Sequence, residues 1–277
     1  MKNKKIFLVI GNPIKHSLSP FLHNYWFKKN RLNCEYKKLK INQSGIRNIL
    51  NKVRSKKIEG LNVTIPFKNR VIKFLDILKS DALKTLSVNT IYLEKDKLVG
   101  DNTDVYGFSY GILKQVRTKK IKVVGILGSG GVTSSIIFSL IKKGVKKIYI
   151  TNRTYSKSKL LQKKFGNIIQ PVNWNKYSKF FSKVQMLINV TSLGMIGYKE
   201  LNFNFTIFNK RKISVVDIVY NPENTRFLKD AKKYGHRTFT GLDMFIYQAQ
   251  RAFYTWNKKN PKVNKDIYKR LRKKING

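Results

Sequence analysis

The stretch Ile121-Lys122-Val123-Val124-Gly125-Ile126-Leu127, followed at once by Gly128-Ser129-Gly130-Gly131, decides the fold of this 277-residue chain. A near-continuous apolar run is typical of a parallel strand that is buried on both faces. Val132 to Lys143 then alternate as a helix that ends at Gly144, and Val145 to Ile150 has the pattern of the next strand. The sequence therefore predicts a β-α-β unit with glycines at the strand-to-helix turn.

Glycines at such a turn let bare backbone approach a pyrophosphate, and the helix N-terminus adds N–H groups and a partial positive charge. A tight turn without a ligand is the alternative, because a glycine cluster by itself is weak evidence. Its place between a buried strand and a helix favours dinucleotide binding.

The end of the second strand indicates which dinucleotide is bound. A site for NAD usually has Asp or Glu roughly 20 residues after the glycines, where the carboxylate bonds the ribose 2′-hydroxyl. Here the chain has Thr151-Asn152-Arg153-Thr154, with no acid and with a guanidinium suited to bidentate contact with a phosphate. The sequence favours NADP, and the alternative is an ordinary exposed arginine in a lysine-rich chain.

Strands and helices also alternate in the first half of the chain. The predicted strands are Lys5–Ile10, Glu35–Ile41, Gly60–Val63, Ser87–Leu93 and Lys97–Gly100, and the predicted helices are Ser19–Asn30, Gly45–Val53, Asn69–Leu78 and Val105–Val116. A hairpin is expected around Glu94-Lys95-Asp96, and the polar Arg117-Thr118-Lys119-Lys120 is the candidate domain boundary. The fold class is therefore α/β, with an N-terminal α/β domain and a Rossmann-type doubly wound parallel sheet.

Charge is strongly unbalanced, with 58 Lys plus Arg against 14 Asp plus Glu and a formal net charge of +44. Such a field attracts nucleic acid, anionic membranes and phosphorylated or carboxylated small molecules. The lysines are spread from Lys2 to Lys274 without a stripe or a nucleic-acid motif. This spread favours a solvated surface over a dedicated nucleic-acid face.

Cysteine and histidine are scarce. Cys34 is the only cysteine, so no intramolecular disulfide is possible, and with His16, His23 and His236 it does not form a Cys/His metal cluster. The apolar run Ile6–Ile10 is too short for a secretion signal, and no stretch approaches the roughly 20 apolar residues that span a bilayer. We expect a cytoplasmic protein with metal-free chemistry.

Two polar turns are the best candidates for chemistry. Asn62–Lys68 and Asp101–Asp104 each bring hydroxyl, amide and charged groups into a turn beside apolar, strand-like sequence. Together they offer an ammonium and a carboxylate on separate loops, which suffices to move a proton on and off an alcohol or ketone oxygen. The alternative is that Asn62 and Asp101 form turns, that the lysine is solvated, and that the last aspartate caps a helix.

Eight motifs follow one another in a fixed order along the chain. They are Gly11-x-Pro13-x-x-His16-Ser17-x-Ser19-Pro20-x-x-His23-Asn24, Asn62-Val63-Thr64-x-Pro66-x-Lys68, Val88-Asn89-Thr90, Asp101-Asn102-Thr103-Asp104-x-x-Gly107, Gly128-x-Gly130-Gly131, Asn152-Arg153-Thr154, Asp217-x-x-Tyr220-Asn221-Pro222-x-x-Thr225 and Gly241-x-x-Met244-x-x-x-Gln248-Ala249. In these motifs the chain strongly resembles the shikimate dehydrogenase family over almost its whole length. The resemblance implies a substrate domain at 1–104, completed by C-terminal helices at 243–277, and an NADP domain at 105–242, with the active site in the cleft between them.

The resemblance also implies roles for single residues. Lys68 and Asp104 are the catalytic pair, and Ser17 and Ser19 bond the substrate carboxylate with help from Tyr220 of the other domain. The residues implied to bond the ring hydroxyls and the reacting oxygen are Thr64, Asn89, Asp104 and Gln248. A competing role for Ser19 is that of N-cap, because Pro20 follows it at the start of a helix.

On the cofactor side the resemblance implies contacts with three parts of NADP. The pyrophosphate residues are Gly128, Ser129, Gly130, Gly131 and Val132, the 2′-phosphate residues are Asn152, Arg153 and Thr154 with added charge from Lys157, and the nicotinamide pocket is lined by Ile218 and Gly241. The loop Asn189–Gly194, after the predicted strand Val184–Ile188, matches a family loop near the cofactor and is also a generic strand exit.

The chain departs from the family pattern at two places. Leu86-Ser87 stands where the family usually has Gly-Ala, and Thr133-Ser134-Ser135 replaces the more usual Ala or Arg run. The first departure affects packing beneath Asn89, and the second removes any family arginine contact at the helix entrance.

The expected activity is reversible NADPH-dependent reduction of 3-dehydroshikimate to shikimate, a step toward chorismate and the aromatic amino acids. We expect a small-molecule substrate, no specific nucleic acid, no membrane partner, and a monomer or homodimer. One alternative is a quinate/shikimate dehydrogenase that prefers NAD. The other is a basic nucleic-acid-binding protein on an inert dehydrogenase fold.

Overall fold

The computed structural model describes residues 4–116, 121–209 and 211–276, and the chain divides into two compact units. The first unit comprises Met1–Gly107 with Ile246–Lys274, and the second comprises Phe108–Phe245 with Ile275–Gly277. The candidate boundary at 117–120 lies outside the described residues. The predicted α/β fold class is confirmed.

A mixed six-stranded sheet forms the first unit, in the order β2-β1-β3-β5-β6-β4. Its strands are β1 (Lys5–Gly11), β2 (Cys34–Lys40), β3 (Gly60–Val63), β4 (Ile77–Leu78), β5 (Thr90–Glu94) and β6 (Lys97–Asp101). Its helices are α1 (Ser19–Lys29), α2 (Gly45–Arg54), α3 (Ser80–Thr85) and α4 (Thr103–Phe108), and the last continues as a wider helical turn over Ser109–Leu113. Strand β5 runs antiparallel to both β3 and β6, so β3 and β6 end at the same edge of the sheet.

The hairpin between β5 and β6 turns where the sequence predicts it. Lys95 and Asp96 both have positive φ, at 50° and 59°. Positive φ at both central residues is the pattern of a two-residue turn whose twist matches the flanking strands. Thr90 pairs with Asp101 as a result, and this register brings the polar residues beside these two strand ends together.

The predicted helix Asn69–Leu78 is wrong. Only a short turn of 3₁₀ helix forms at Ile72–Phe74, and Ile77–Leu78 pairs with β6 as an edge strand. The chain is held there because the Asp76 carboxylate accepts the Leu98 backbone N–H at 2.6 Å and the Asp76 N–H donates to the Leu98 carbonyl at 3.0 Å. Tertiary pairing thus overrides the local helical pattern.

The second unit contains a six-stranded sheet in the order β12-β11-β10-β7-β8-β9, with every pairing parallel. The strands are β7 (Val123–Leu127), β8 (Lys147–Thr151), β9 (Ile169–Val172), β10 (Met186–Asn189), β11 (Ser214–Asp217) and β12 (Arg237–Phe239). The helices are α5 (Thr133–Lys142), α6 (Tyr155–Phe165), α7 (Tyr177–Phe181) and α8 (Arg226–Lys233). This strand order reverses direction between β7 and β10, the place where doubly wound sheets bind dinucleotides.

The strands of this sheet have continuous apolar sequences because their side chains are buried. Val124 and Ile126 of β7 are fully buried in one cluster with Ile136 and Ile137 of α5. Each such side chain contributes about 1.5–3 kcal/mol by leaving water.

Two further helices complete the chain. Helix α9 (Gly241–Asn257) begins in the second unit and ends in the first, and α10 (Lys265–Asn276) follows it. Among the residues that the structure describes, no helix is both long enough and apolar enough to traverse a lipid bilayer.

Candidate active site

Lys68 and Asp104 meet in the first unit. Lys68 lies in the loop after β3 and Asp104 in the first turn of α4, directly after β6, and both strands end at the same sheet edge. The Lys68 Nζ donates to Asp104 Oδ2 at 2.5 Å. The loop is anchored because the Val88 N–H donates to the Lys68 carbonyl at 2.9 Å.

This ion pair is almost fully buried, with side-chain exposures of 11% for Lys68 and 6% for Asp104. Removing two charges from water costs several kcal/mol for each ion, and their mutual attraction repays the cost only with good geometry. A buried pair is thus weak evidence for stability and stronger evidence for a chemical role. The solvated-lysine alternative is wrong.

Asn89 fixes the free oxygen of the Asp104 carboxylate. Its Nδ2 donates to Asp104 Oδ1 at 3.0 Å and to Thr103 Oγ1 at 3.0 Å, while its Oδ1 accepts the Thr103 N–H at 2.8 Å. Gln248 Oε1 lies 3.5 Å from the same amide nitrogen. Three of the predicted site residues, Asn89, Asp104 and Gln248, therefore lie in one network.

Asn102 holds the backbone from which the Asp104 side chain projects. Its Oδ1 accepts the Asp104 N–H at 3.1 Å, and its Nδ2 donates to Thr85 Oγ1 at 2.8 Å and to the Ser87 carbonyl at 2.9 Å. Asn102 belongs to the motif Asp101-Asn102-Thr103-Asp104, and no role was predicted for it. Its position two residues before an aspartate that begins a helix is the available signal, since Asn bonds backbone N–H groups two residues on.

A further hydrogen-bonded layer lies behind Asn89. Asn62 is buried within β3, its Nδ2 donates to the Asn89 carbonyl at 2.9 Å and to Thr90 Oγ1 at 3.1 Å, and its Oδ1 accepts the Tyr36 hydroxyl at 2.7 Å. The alternative in which Asn62 forms a turn is wrong. Tyr36 was missed, since nothing in its own stretch of sequence distinguishes it from a core tyrosine.

Ser17 and Ser19, which are predicted to bind the carboxylate of the substrate, lie at the start of α1. Ser17 Oγ accepts the Ser19 N–H at 3.3 Å, and the residue that precedes the helix is Leu18, which makes no side-chain cap. The N-cap alternative for Ser19 is therefore wrong. Ser19 is buried and Ser17 is half-buried.

Thr64 lies at the exit of β3 beside the exit of β1. Its N–H donates to the Ile10 carbonyl at 2.9 Å. A Cβ on Gly11 would lie 2.5 Å from Thr64 Cγ2, so only glycine fits at this close approach. Thr64, Ser17, Ser19, Lys68, Asn89, Asp104 and Gln248 all belong to the first unit, and Tyr220 belongs to the second.

The glycine turn of the second unit is built for close backbone approach. Gly128 has φ +109°, and a Cβ there would lie 2.7 Å from Thr191 Cγ2. Gly130 is exposed and Gly131 and Val132 are half-buried at the N-terminus of α5. Backbone N–H groups and the helix dipole are thereby available to an anion at this point.

Ser129 and Asn152 support the two turns at this edge of the sheet. Ser129 Oγ lies 3.0 Å from Ser158 Oγ on α6, and Asn152 Nδ2 donates to the Thr154 carbonyl at 2.9 Å. Arg153, Thr154 and Lys157 are exposed at the start of α6. From Val105 to Lys199 the sequence contains no Asp or Glu, so cations here face no acidic neighbour along the chain.

Ile218 and Gly241 lie against each other. A Cβ on Gly241 would lie 2.2 Å from the Ile218 carbonyl oxygen, and the Gly241 N–H donates to the Val219 carbonyl at 3.2 Å. The Tyr220 ring stacks on Phe245, with centroids 4.2 Å apart and an interplanar angle of 16°. The segment after β11 is therefore fixed by both backbone and ring contacts.

Asp217, at the end of β11, organises the same edge. Its Oδ1 accepts Asn189 Nδ2 and the Val219 N–H, each at 3.0 Å, and its Oδ2 accepts the Thr225 hydroxyl at 2.7 Å. Burial raises the pKa of the Asp217 carboxyl to about 6, although these hydrogen bonds act in the opposite direction. Asp217 begins the motif Asp217-x-x-Tyr220-Asn221-Pro222, and no role was predicted for it.

One unit of the chain is a doubly wound parallel sheet with a glycine turn, and the other contains a buried lysine–carboxylate pair. This combination defines a dinucleotide-dependent oxidoreductase. Family models identify which one. Residues 9–91 match the shikimate dehydrogenase substrate binding domain, and residues 112–270 match Shikimate / quinate 5-dehydrogenase. The chain belongs to the shikimate dehydrogenase family.

Individual relatives agree with the family models. The chain is 48% identical over 263 residues to the shikimate dehydrogenase (NADP(+)) of Pelagibacter ubique, covering 95% of this chain and 97% of the relative. The crystal structure of shikimate dehydrogenase from Aquifex aeolicus has a TM-score of 0.86 at 33% identity and covers 98% of each chain. That of Thermus thermophilus, in complex with NADP(H) and shikimate, has a TM-score of 0.83 at 28% identity over 93% of this chain and 95% of that one.

The family, the enzyme class and the NADP preference predicted from the sequence are confirmed at the level of these relatives. The roles of single residues are not tested by these comparisons, so they stay predictions.

Proposed function

We propose that this protein catalyses the reversible NADPH-dependent reduction of 3-dehydroshikimate to shikimate. The observation that carries the proposal is the buried contact of 2.5 Å between Lys68 and Asp104 in a chain of this family. In this proposal the first unit, residues 1–104 with helices at 243–277, binds substrate, and residues 105–242 bind NADP.

Lys68 serves as the acid in the direction of reduction. Its ammonium donates a proton to the ring oxygen as negative charge develops there, and its positive charge stabilises that oxygen. The Asp104 carboxylate holds the ammonium in place and accepts a second hydrogen bond from Asn89. In the direction of oxidation the lysine takes the hydroxyl proton back by the same path.

Binding of the substrate is assigned to polar side chains of the first unit and to Tyr220 of the second. Ser17 and Ser19 bond the carboxylate with hydroxyl groups, which donate to an anion without adding fixed charge. Tyr220 is assigned to the same carboxylate. The ring hydroxyls are assigned to Thr64 and Gln248, together with Asn89 and Asp104.

The residues of the second unit fit an NADP molecule. At Gly128 and Gly241 a Cβ would collide with Thr191 and with the Ile218 carbonyl, so glycine is needed for these turns to form, and the glycine turn offers backbone N–H groups at the start of α5 to a pyrophosphate. The pyrophosphate is assigned to Gly128, Ser129, Gly130, Gly131 and Val132, the 2′-phosphate to Asn152, Arg153, Thr154 and Lys157, and the nicotinamide to Ile218 and Gly241. When bound, NADPH supplies the hydride.

A preference for NADP over NAD follows from the charge at the end of β8. Arg153 is exposed there, and the sequence contains no acid between Val105 and Lys199 that would bond a ribose 2′-hydroxyl. The alternative of a quinate/shikimate dehydrogenase that prefers NAD is thus disfavoured. We place the reaction in the cytoplasm, with the enzyme as a monomer or homodimer.

The test is shikimate-dependent reduction of NADP, followed by absorbance of the reduced nicotinamide, in parallel with NAD and with quinate. The proposal predicts a rate with shikimate and NADP that exceeds those of the other pairs. Absence of that rate, together with salt-dependent retention of DNA, would favour a basic nucleic-acid-binding protein instead.

A further inference from the structure

Asp217 is a buried carboxylate in a strongly cationic chain, and no salt bridge joins it to a cation among the described residues. The sequence has 58 Lys plus Arg, and Asp217 is fully buried. Over the described ranges 4–116, 121–209 and 211–276, its hydrogen bonds come from an amide, a backbone N–H and a hydroxyl, and it forms no ion pair. The group is therefore held by neutral donors alone.

Keeping this carboxylate charged lowers the stability of the protein. Burial raises the pKa of Asp217 from 3.8 to about 6, and the charge of Glu200 acts in the same direction. Because the folded state binds the proton more tightly than the unfolded state, stability from this group falls as pH rises from about 4 to about 6. At neutral pH the full cost is present.

The three donors come from three different elements. Asn189 ends β10, Val219 follows β11, and Thr225 precedes α8, where its hydroxyl also accepts the Leu228 N–H at 3.4 Å. An ionised carboxylate has only acceptor sites, about four in number, so it satisfies all three donors at once.

Two of these donors lead to the edge where the cofactor is assigned. Asn189 Oδ1 accepts the Thr191 N–H at 3.0 Å and the Thr191 hydroxyl at 2.7 Å, and Thr191 is the residue that excludes a side chain at Gly128. Val219 accepts the Gly241 N–H through its carbonyl. Asp217 thus connects the glycine turn with the segment that contains Ile218.

We propose that Asp217 is a positioning residue whose negative charge fixes the Thr191 loop and the Ile218–Tyr220 segment for the nicotinamide half of NADP, at the expense of stability. The identification of the ligand as NADP rests on the proposed function. The effect on the free protein does not depend on it.

The first test compares Asp217→Asn with the wild type in thermal unfolding of the free protein and in NADP⁺ binding by calorimetry. At pH 7.5 the variant should unfold at the wild-type temperature or above it, because a neutral amide avoids the cost of a buried charge. Its NADP⁺ affinity should fall by about tenfold, because a neutral amide accepts from Asn189 and Val219 more weakly than a charged carboxylate does. At pH 5 the ratio of the two affinities should approach one, since the wild-type carboxyl is then protonated.

The 2′-phosphate of NADP⁺ also titrates in this pH range, but it affects both proteins equally. The ratio of the wild-type affinity to the variant affinity therefore reports Asp217 alone. Lower unfolding temperature of Asp217→Asn at pH 7.5, or an affinity ratio that does not change with pH, would overturn the positioning role. Failure of the wild type to bind NADP⁺ would reject the proposed function itself. Equal binding of NADP⁺ by the wild type and Asp217→Asn at pH 7.5 would reject only the positioning role.

A second variant keeps the test independent of how Asp217→Asn folds. Thr225→Val removes one donor that lowers the pKa of Asp217, so the loss of NADP⁺ affinity on acidification should begin at a higher pH than in the wild type. An unshifted pH profile would overturn the inference.

Discussion

The two units differ in the parts of the chain to which ligand binding is assigned. In the first unit the site is a network of buried side chains, in which Lys68, Asp104, Asn89 and Asn62 are joined by hydrogen bonds of 2.5 to 3.0 Å. In the second unit the site is mostly backbone, with glycines where a Cβ would collide and exposed cations at helix starts. We therefore expect substitutions in the side-chain network of the first unit to reduce turnover, and substitutions at the glycine turn of the second unit to weaken cofactor binding.

The strongest test of this comparison is Lys68→Ala. Loss of the proton donor should lower kcat by about 10²–10⁴-fold, with a much smaller change in the dissociation constant for shikimate. Steady-state kinetics and calorimetry measure the two quantities. Lys73→Ala is the control, because Lys73 is an exposed lysine of the same segment. Unchanged turnover in Lys68→Ala would reject the catalytic assignment.

Gly128→Ala tests the backbone side of the comparison. The added Cβ meets Thr191 at 2.7 Å in a left-handed backbone, so the KM for NADPH should rise by about tenfold or more while shikimate binding is retained. Gly144→Ala separates strain from collision, because Gly144 has φ +81° and no heavy atom within 4 Å of its Cβ position. Equal effects of both substitutions would contradict a close approach at the glycine turn.

Arg153→Ala sharpens the comparison at the 2′-phosphate. A charge-assisted contact with phosphate contributes about 1.5–3 kcal/mol, so the KM for NADPH should rise by roughly 10-fold or more while that for NADH stays constant. Lys163→Ala, at an exposed position of the same helix, should leave both constants unchanged. A parallel increase for NADH would show that Arg153 does not contact the phosphate.

Tyr36→Phe probes how far the side-chain network extends. The Asn62 oxygen loses its donor at 2.7 Å, and a buried unsatisfied acceptor costs about 1–3 kcal/mol. We expect a lower unfolding temperature and a reduction of kcat by a few fold, measured against the exposed Tyr254→Phe. Retention of full turnover would limit the network to the residues in contact with Asp104.

The smallest expected effect is a gain in stability from Leu86→Gly. Leu86 ends α3 in the left-handed conformation with φ 45°, and its side chain is about half exposed. Relief of about 1–2 kcal/mol of strain, less the roughly 0.5–1 kcal/mol entropic cost of glycine, leaves a gain of up to about 1.5 kcal/mol. Leu83→Gly, in the interior of the same helix, should destabilise instead. Chemical denaturation distinguishes the two signs.

Sequence alone predicted features that depend on local pattern. The β-α-β unit from Ile121 to Ile150 was predictable because its apolar run, glycine turn and helical period are contiguous. The Lys68–Asp104 contact came from the family resemblance, because neither residue type nor spacing places two loops together.

Features that depend on distant pairing were missed or wrong. Asn69–Leu78 has a helical pattern, and the chain becomes an edge strand because β6, more than 20 residues away, pairs with it. Tyr36 and Asp217 acquire their importance from Asn62 and Asn189, 26 and 28 residues distant. Local sequence propensity does not predict such long-range contacts.

The acid-free stretch from Val105 to Lys199 has a consequence for the solution behaviour of the second unit. Like charges on its helices repel one another with few opposing groups, so the compact state should resist urea better in moderate salt than in dilute buffer. A protein secured by surface ion pairs has the opposite dependence. Any polyanion that binds here would act as a counterion. Bound cofactor and added salt should therefore each stabilise the second unit, and the effect of one should be smaller when the other is present.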